Sequence, residues 1–191
     1  MDTITKVTLM EWQEYKSLSE RTLSSQFHCD DRMQRLLHAV VGMLTEIEEI
    51  LDNHSMAEAD QVNRAEEWGD IAWYMAILAR EYSLALEYTG VAHLKDTDPT
   101  MEMTKLLLRL LDMMKKSVYY GKKFDDSVAS KLSSEVISVM LRYAATNGID
   151  TAAAMRANIE KLRARYGDKF SSDSAINRDL ENERRILTDN L

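Results

Sequence analysis

A chain of 191 residues with 45% hydrophobic residues, one Pro and six Gly can bury a full core without disulfides and has the composition of helices rather than of strands and turns, so one compact all-α unit is expected. A formal net charge of -8 leaves no basic footprint for duplex nucleic acid and suits a site that holds divalent cations. The single cysteine, Cys29, excludes an intrachain disulfide framework, and no run approaches the roughly 18 apolar residues of a membrane span; a soluble, unprocessed cytoplasmic protein with no membrane partner is the expectation.

Along the chain, a first helix is expected from about Thr8 to Leu23. Asp30 and Asp31 can cap a second, in which Met33, Leu36, Leu37, Val40, Val41, Leu44, Ile47 and Leu51 recur at helical spacing and should face the core. Asn53 to Ser55 interrupts it, and Ser55 with Glu58 reads as a capping box for a third helix through about Tyr82, with Ser83 capping a short continuation toward Gly90. Pro99 follows Asp96-Thr97-Asp98 and opens a helix to about Tyr120, stopped at Gly121. Asp125 or Asp126 caps the next, which ends at Asn147-Gly148. Thr151 starts another that carries Met155, Ile159, Leu162 and Tyr166 toward Gly167, and a last helix should span roughly Ser174 to Leu187.

Residues 24–95 thus form one helix pair, 96–170 a second half and 171–191 a C-terminal helix or tail. The two pairs suggest a four-helix core and a degenerate tandem repeat. Setting Glu67 to Ile77 against Leu132 to Arg142 matches the apolar phase and sets Leu84 against Ile149, while the acids of the first copy are missing from the second.

Those acids carry the chemistry. Glu46 and Glu49 on the second helix, and Glu67 and Asp70 on the third, are each spaced i, i+3, which puts each pair on one helix face. The break at Asn53 to Ser55 lets the two helices run antiparallel, so that the four acids converge within apolar stretches. Clustered carboxylates there repel one another and resist ionisation unless a cation compensates, and Mg2+ or Mn2+, which prefer oxygen ligands and keep waters for phosphates to replace, is the matching ion. A single ExxE in a helical chain rich in charge is usually a solvated pair; two of them in this arrangement weigh more. Glu48 and Glu66 have weaker claims, and mid-helix Gly69 points to close approach of a neighbouring helix or ligand, packing first.

Cations are needed for a polyphosphate. Asn158, Lys161 and Arg165 recur at i, i+3, i+7 on one face, and Lys115, Lys116, Lys122 and Lys123 cluster with Tyr119 and Tyr120 at the end of the Pro99 helix, where solvated lysines are also at home. Trp68, Trp73 and Tyr74 could stack on a base, although aromatics in an apolar helical phase are more often core, as expected of Trp73. His28 and Cys29, with His38 and His54 distant, lack the ligand spacing of a zinc site.

Taken together, Thr45-Glu46-Ile47-Glu48-Glu49, then Glu66-Glu67-Trp68-Gly69-Asp70-Ile71-Ala72-Trp73-Tyr74, and later Asn158 to Tyr166, Lys169-Phe170-Ser171 and Asn177-Arg178-Asp179 resemble the MazG-like all-α nucleoside triphosphate pyrophosphohydrolases, phage-type members in particular. The resemblance covers about half the chain. It implies Mg2+-dependent hydrolysis of an NTP or dNTP to a nucleoside monophosphate and pyrophosphate, with Glu46, Glu49, Glu67 and Asp70 as metal ligands and Glu49, with Glu46, in the catalytic role toward water. It also implies that Asn158 and Lys161 belong to the nucleotide-binding face, with Arg165 beside them and Lys115 and Tyr120 as phosphate contacts from the second half. The assembly expected is a homodimer or a single-chain pseudo-dimer. A phosphoribosyl-ATP pyrophosphatase or dUTPase-like enzyme is the alternative within the same chemistry, and a non-catalytic helical interaction module the alternative outside it.

Overall fold

The computed structural model describes residues 9–20, 22–54, 61–87, 97–167 and 169–191, in which eight helices and no strands occur. They are α1 (Leu9–Glu20), α2 (Asp31–His54), α3 (Gln61–Tyr82), α4 (Pro99–Tyr120), α5 (Asp126–Asn147), α6 (Thr151–Tyr166), α7 (Ser172–Ile176) and α8 (Leu180–Asn190). The all-α expectation holds. No helix among the described residues is long and apolar enough to cross a membrane.

Local chemistry sets most boundaries. Asp30 accepts the Met33 N–H at 2.7 Å and starts α2. Asp98 accepts from Thr100 ahead of Pro99, whose missing N–H costs nothing in a first turn, and Gly121 closes α4 in the left-handed region at φ 63°. Asp125 caps α5, and Asp150 takes two N–H groups at the start of α6. The expected capping box at Ser55 lies outside the described residues, as does Gly90.

Four expectations are corrected. Ser83 does not cap a new helix: at φ 52° it ends α3, and the following Leu84 N–H returns to the Ala79 carbonyl at 2.9 Å. The expected last helix is two, broken at Asn177 to Asp179 because Asp179 prefers to cap α8 by accepting from Asn182 N–H. The buried stripe of α2 is also rotated, since Val41 and Leu51 are exposed while Ala39, Met43 and Ile50 are buried with Met33, Leu36, Val40 and Ile47. Likewise α6 buries Ala154, Ala157, Asn158 and Lys161 rather than Ile159.

Helices α2 and α3 pack as one hairpin and α4 and α5 as another, α2 lies against α4, and α3 also contacts α5. Their shared core includes Leu36, Met43, Trp68, Met75, Leu107, Val136 and Met140. The Trp68 indole donates to the Met140 carbonyl at 3.1 Å, joining α3 to α5 inside it. Arg32 ties α2 to Glu81 of α3 and Asp126 of α5, and Arg142 of α5 pairs with buried Glu102 of α4. Helix α6 lies on the outer side of α3, and α8 packs on α6.

The second helices of the two hairpins match. Helices α3 and α5 have 22 residues each, and the alignment that sets Glu67 against Leu132 also sets Ser83 against Gly148, both with positive φ. Leu84 and Ile149 then make equivalent bonds, to Ala79 O at 2.9 Å and Ala144 O at 3.0 Å. Where the first copy carries Glu67, the second carries buried Leu132.

Candidate functional site

A cleft of about 440 Å³ runs beside α3. It is lined by α2 (His38, Glu46, Glu49), α3 (Asn63, Glu66, Glu67, Asp70, Trp73, Tyr74), the end of α6 (Leu162, Arg165, Tyr166) and the C-terminal segment (Phe170, Arg178). The acidic pairs reach it because helical i, i+3 spacing keeps Glu46 beside Glu49 and Glu67 beside Asp70, and the α2–α3 hairpin turns the two faces together.

Glu46, Glu49 and Glu67 each bring a carboxylate oxygen within 4.8 Å of the other two. Glu67 is buried, Glu46 half-buried and Glu49 exposed. Burial pushes the Glu67 carboxyl up to about 9, with Glu49, Glu66, Asp70 and Glu46 adding repulsion. Glu46 rises to about 7, first through burial and then through Asp70 and Glu49. Glu49 is raised as well, again chiefly by desolvation. Glu67 and Glu46 are joined by a side-chain hydrogen bond, which the proton on Glu67 explains. A divalent ion would replace that proton and remove the repulsion, so these oxygen donors fit a hard cation that keeps waters.

Asp70 is placed differently from the other three acids. It sits in the cleft, but one of its oxygens accepts from Asn158 Nδ2 at 2.5 Å and the other from Lys161 Nζ at 2.6 Å. Lys161 is 1% exposed and also reaches Glu66 at 3.1 Å. Burial alone would lower its pKa, but Asp70 and Glu66 outweigh that and raise it. The pair expected to face the nucleotide is therefore spent on orienting an acid of the cluster, because α6 comes close enough to bury both. Gly69 allows this: a Cβ there would lie 3.1 Å from the Ala154 carbonyl oxygen and 3.2 Å from Asn158 Cβ.

Of the other expected contacts, Arg165 lines the cleft, whereas Lys115 and Tyr120 do not. Lys115 pairs with Asp112 at 2.7 Å on α4 and Tyr120 is exposed at that helix's end. They lie on another face, where Lys115 borders a separate groove with Leu108 and Tyr119.

Sequence reasoning placed Trp73 in the core. Trp68 fills it instead, and Trp73 is 39% exposed at the cleft. His38 stands edge-on to Trp73 (6.1 Å) and Tyr74 (5.4 Å), and Trp73 to Tyr74 (5.0 Å), while Tyr166 lies 5.3 Å from Phe170. The His38, Trp73 and Tyr74 cluster and the Tyr166–Phe170 pair give the cleft flat apolar surfaces suited to a ring. Gly42, one turn before Glu46, makes room for Tyr74, whose ring would be 2.3 Å from a Cβ there. That glycine was the signal available in the sequence. Tyr166, Phe170 and Arg178 stood in the sequence only inside the segments that carry the resemblance, and His38, Asn63 and Glu183 carried no signal, because their roles depend on how the helices dock.

The chain matches no protein-family model, and no curated protein and no solved structure matches it.

Proposed function

We propose that the protein is a nucleoside triphosphate pyrophosphohydrolase of the MazG-like kind, which hydrolyses an NTP or dNTP to a nucleoside monophosphate and pyrophosphate with Mg2+, or Mn2+ in its place. The observation that carries the reading is the convergence of Glu46, Glu49 and Glu67 within 4.8 Å in a cleft that also offers aromatic surfaces and arginines. Acids, aromatics and cations side by side match a ligand made of metal, base and polyphosphate.

When bound, magnesium would offset phosphate charge and acidify water, which is the chemistry the carboxylates cannot supply themselves. Glu46, Glu49 and Glu67 would hold it. Glu49 is the most exposed of the three and its carboxyl is raised by desolvation, which fits it to orient the attacking water and accept its proton. Asp70, fixed by Asn158 and Lys161, is held in place beside the cluster. His38, Trp73 and Tyr74 take the base, and Arg165 the phosphates, so most of the rate gain is positional and electrostatic.

The test is a panel of NTPs and dNTPs with and without Mg2+, with pyrophosphate separated from orthophosphate. Metal-dependent pyrophosphate release from a preferred base supports the reading. Orthophosphate as the product, or no release with any metal, overturns it, and metal-independent partner binding would then favour an interaction module.

A further inference from the structure

Lys161 is committed to Asp70 and Glu66, so the cation for a polyphosphate must come from elsewhere in the cleft. The C-terminal segment provides it. Glu183 on α8 is 3% exposed and yet ionised, because hydrogen bonds from Arg165 and Arg178 more than offset its desolvation. Arg165 donates from Nε at 2.7 Å and Nη2 at 2.6 Å, and Arg178 from Nη2 at 2.7 Å and Nε at 3.2 Å. Two guanidiniums on one carboxylate leave an excess positive charge, and both line the same cleft as the three glutamates. One arginine would satisfy Glu183. The second adds repulsion between cations, a poor stability device but a good anion site, because each rigid fork keeps N–H groups on the edge turned away from Glu183.

Position along the cleft indicates which anion. Helix α6 runs antiparallel to α3, with Asn158 and Lys161 on Asp70 and Lys161 also on Glu66, so Arg165 comes next, toward Asn63, which Arg184 of α8 bonds. Trp73 lies about 15 Å from Asn63 along α3 at 1.5 Å per residue. Tyr74 lies in the field of Glu46, Asp70, Tyr166 and Arg165, and Glu49 in that of Arg178. A nucleotide whose base meets Trp73 and whose first phosphate meets the carboxylates can bring its terminal phosphates to Arg165 and Arg178, which line the same cleft.

We propose that Arg165 and Arg178, held by Glu183, bind the terminal diphosphate of the substrate and the pyrophosphate product, with Glu183 as a positioning residue. This rests on the pyrophosphohydrolase reading for the substrate but not for the anion.

The experiment is calorimetric titration of the full chain with inorganic pyrophosphate and, separately, a nucleoside monophosphate, both with Mg2+. Wild type should bind pyrophosphate, and Arg178→Gln should weaken it about tenfold, the loss of a charge-assisted bond. Arg178→Lys should recover only part, since an ammonium lacks the fork. Glu183→Gln should weaken pyrophosphate by a similar factor while monophosphate affinity and thermal stabilisation by Mn2+ stay as in wild type. Equal losses on all three would mean a merely structural glutamate and overturn its positioning role. Should Glu183→Gln not fold, the Arg178 variants decide. Pyrophosphate binding that is absent in wild type, or unchanged in Arg178→Gln, overturns the site. Binding through Arg178 without any NTP turnover would overturn the enzymatic reading alone, and turnover indifferent to Arg178 the clamp alone.

Discussion

Replacing Glu67 by Gln should make the metal-free protein more stable, the reverse of what a buried-site substitution ordinarily does. The carboxyl sits at about 9 against an ordinary 4.5, through burial first and then its acidic neighbours. At pH ~7.5, about three units above the ordinary value, keeping it protonated costs at most about 4 kcal/mol relative to the unfolded chain. Water at the cleft mouth and screening reduce this to about 1–2 kcal/mol. Gln removes the cost, and its amide N–H can replace the proton in the bond to Glu46. In chelator the melting temperature should therefore rise by about 2–8 °C for a chain of this length. The sign with pH is fixed. Between 4.5 and about 9 the native wild type binds more protons than the unfolded chain, so its stability falls as pH rises through that window, and the advantage of Gln is absent at the acid end and grows with pH. Mg2+ should stabilise wild type and do so far less in the variant. Calorimetric melting across pH in chelator and in Mg2+ reads both effects. A variant less stable than wild type at pH ~8 in chelator, or one that Mg2+ stabilises equally, would refute the reasoning.

Lys161→Met should cost about 2–4 kcal/mol, since it strands Asp70 and Glu66 beside a buried side chain; in denaturant melts Asp70→Asn should recover part of that loss, and strictly additive costs would contradict the pairing. Gly42→Ala should keep the fold, because the Tyr74 ring that a Cβ would strike can swing outward, but KM should rise several-fold with kcat changed less. An unchanged KM would remove Tyr74 from the base site. Because Glu46 sits at about 7 and Glu67 at about 9, Mg2+ binding should release protons, with apparent affinity rising with pH and levelling above about 9. Titrations in buffers of different ionisation enthalpy measure this, and pH-independent affinity would speak against these ligands.

Helix order and most boundaries were legible because each rests on a local device: Asp30 and Asp125 at N-termini, Pro99 in a first turn, Gly121 and Gly148 at C-termini. The acidic faces were legible for the same reason, i, i+3 spacing being a property of one helix. What failed depends on docking between helices. Val41 and Leu51 share the apolar phase of α2 yet lie exposed, since the phase does not say where α4 will sit. Lys161 read as a nucleotide-facing cation, whereas α6, admitted by Gly69, buries it against Asp70. Arg178 and Glu183 meet only because Asp179 breaks the C-terminal helix, a choice between capping and continuation that composition leaves undecided.

The claim that water attacks the α-phosphorus with help from the glutamate cluster is tested most directly by turnover in 18O-labelled water with Mg2+, followed by mass spectrometry of both products. The account predicts label in the nucleoside monophosphate and none in pyrophosphate, with turnover lost in Glu49→Gln. Label in pyrophosphate or in released orthophosphate, or full turnover in that variant, would contradict it.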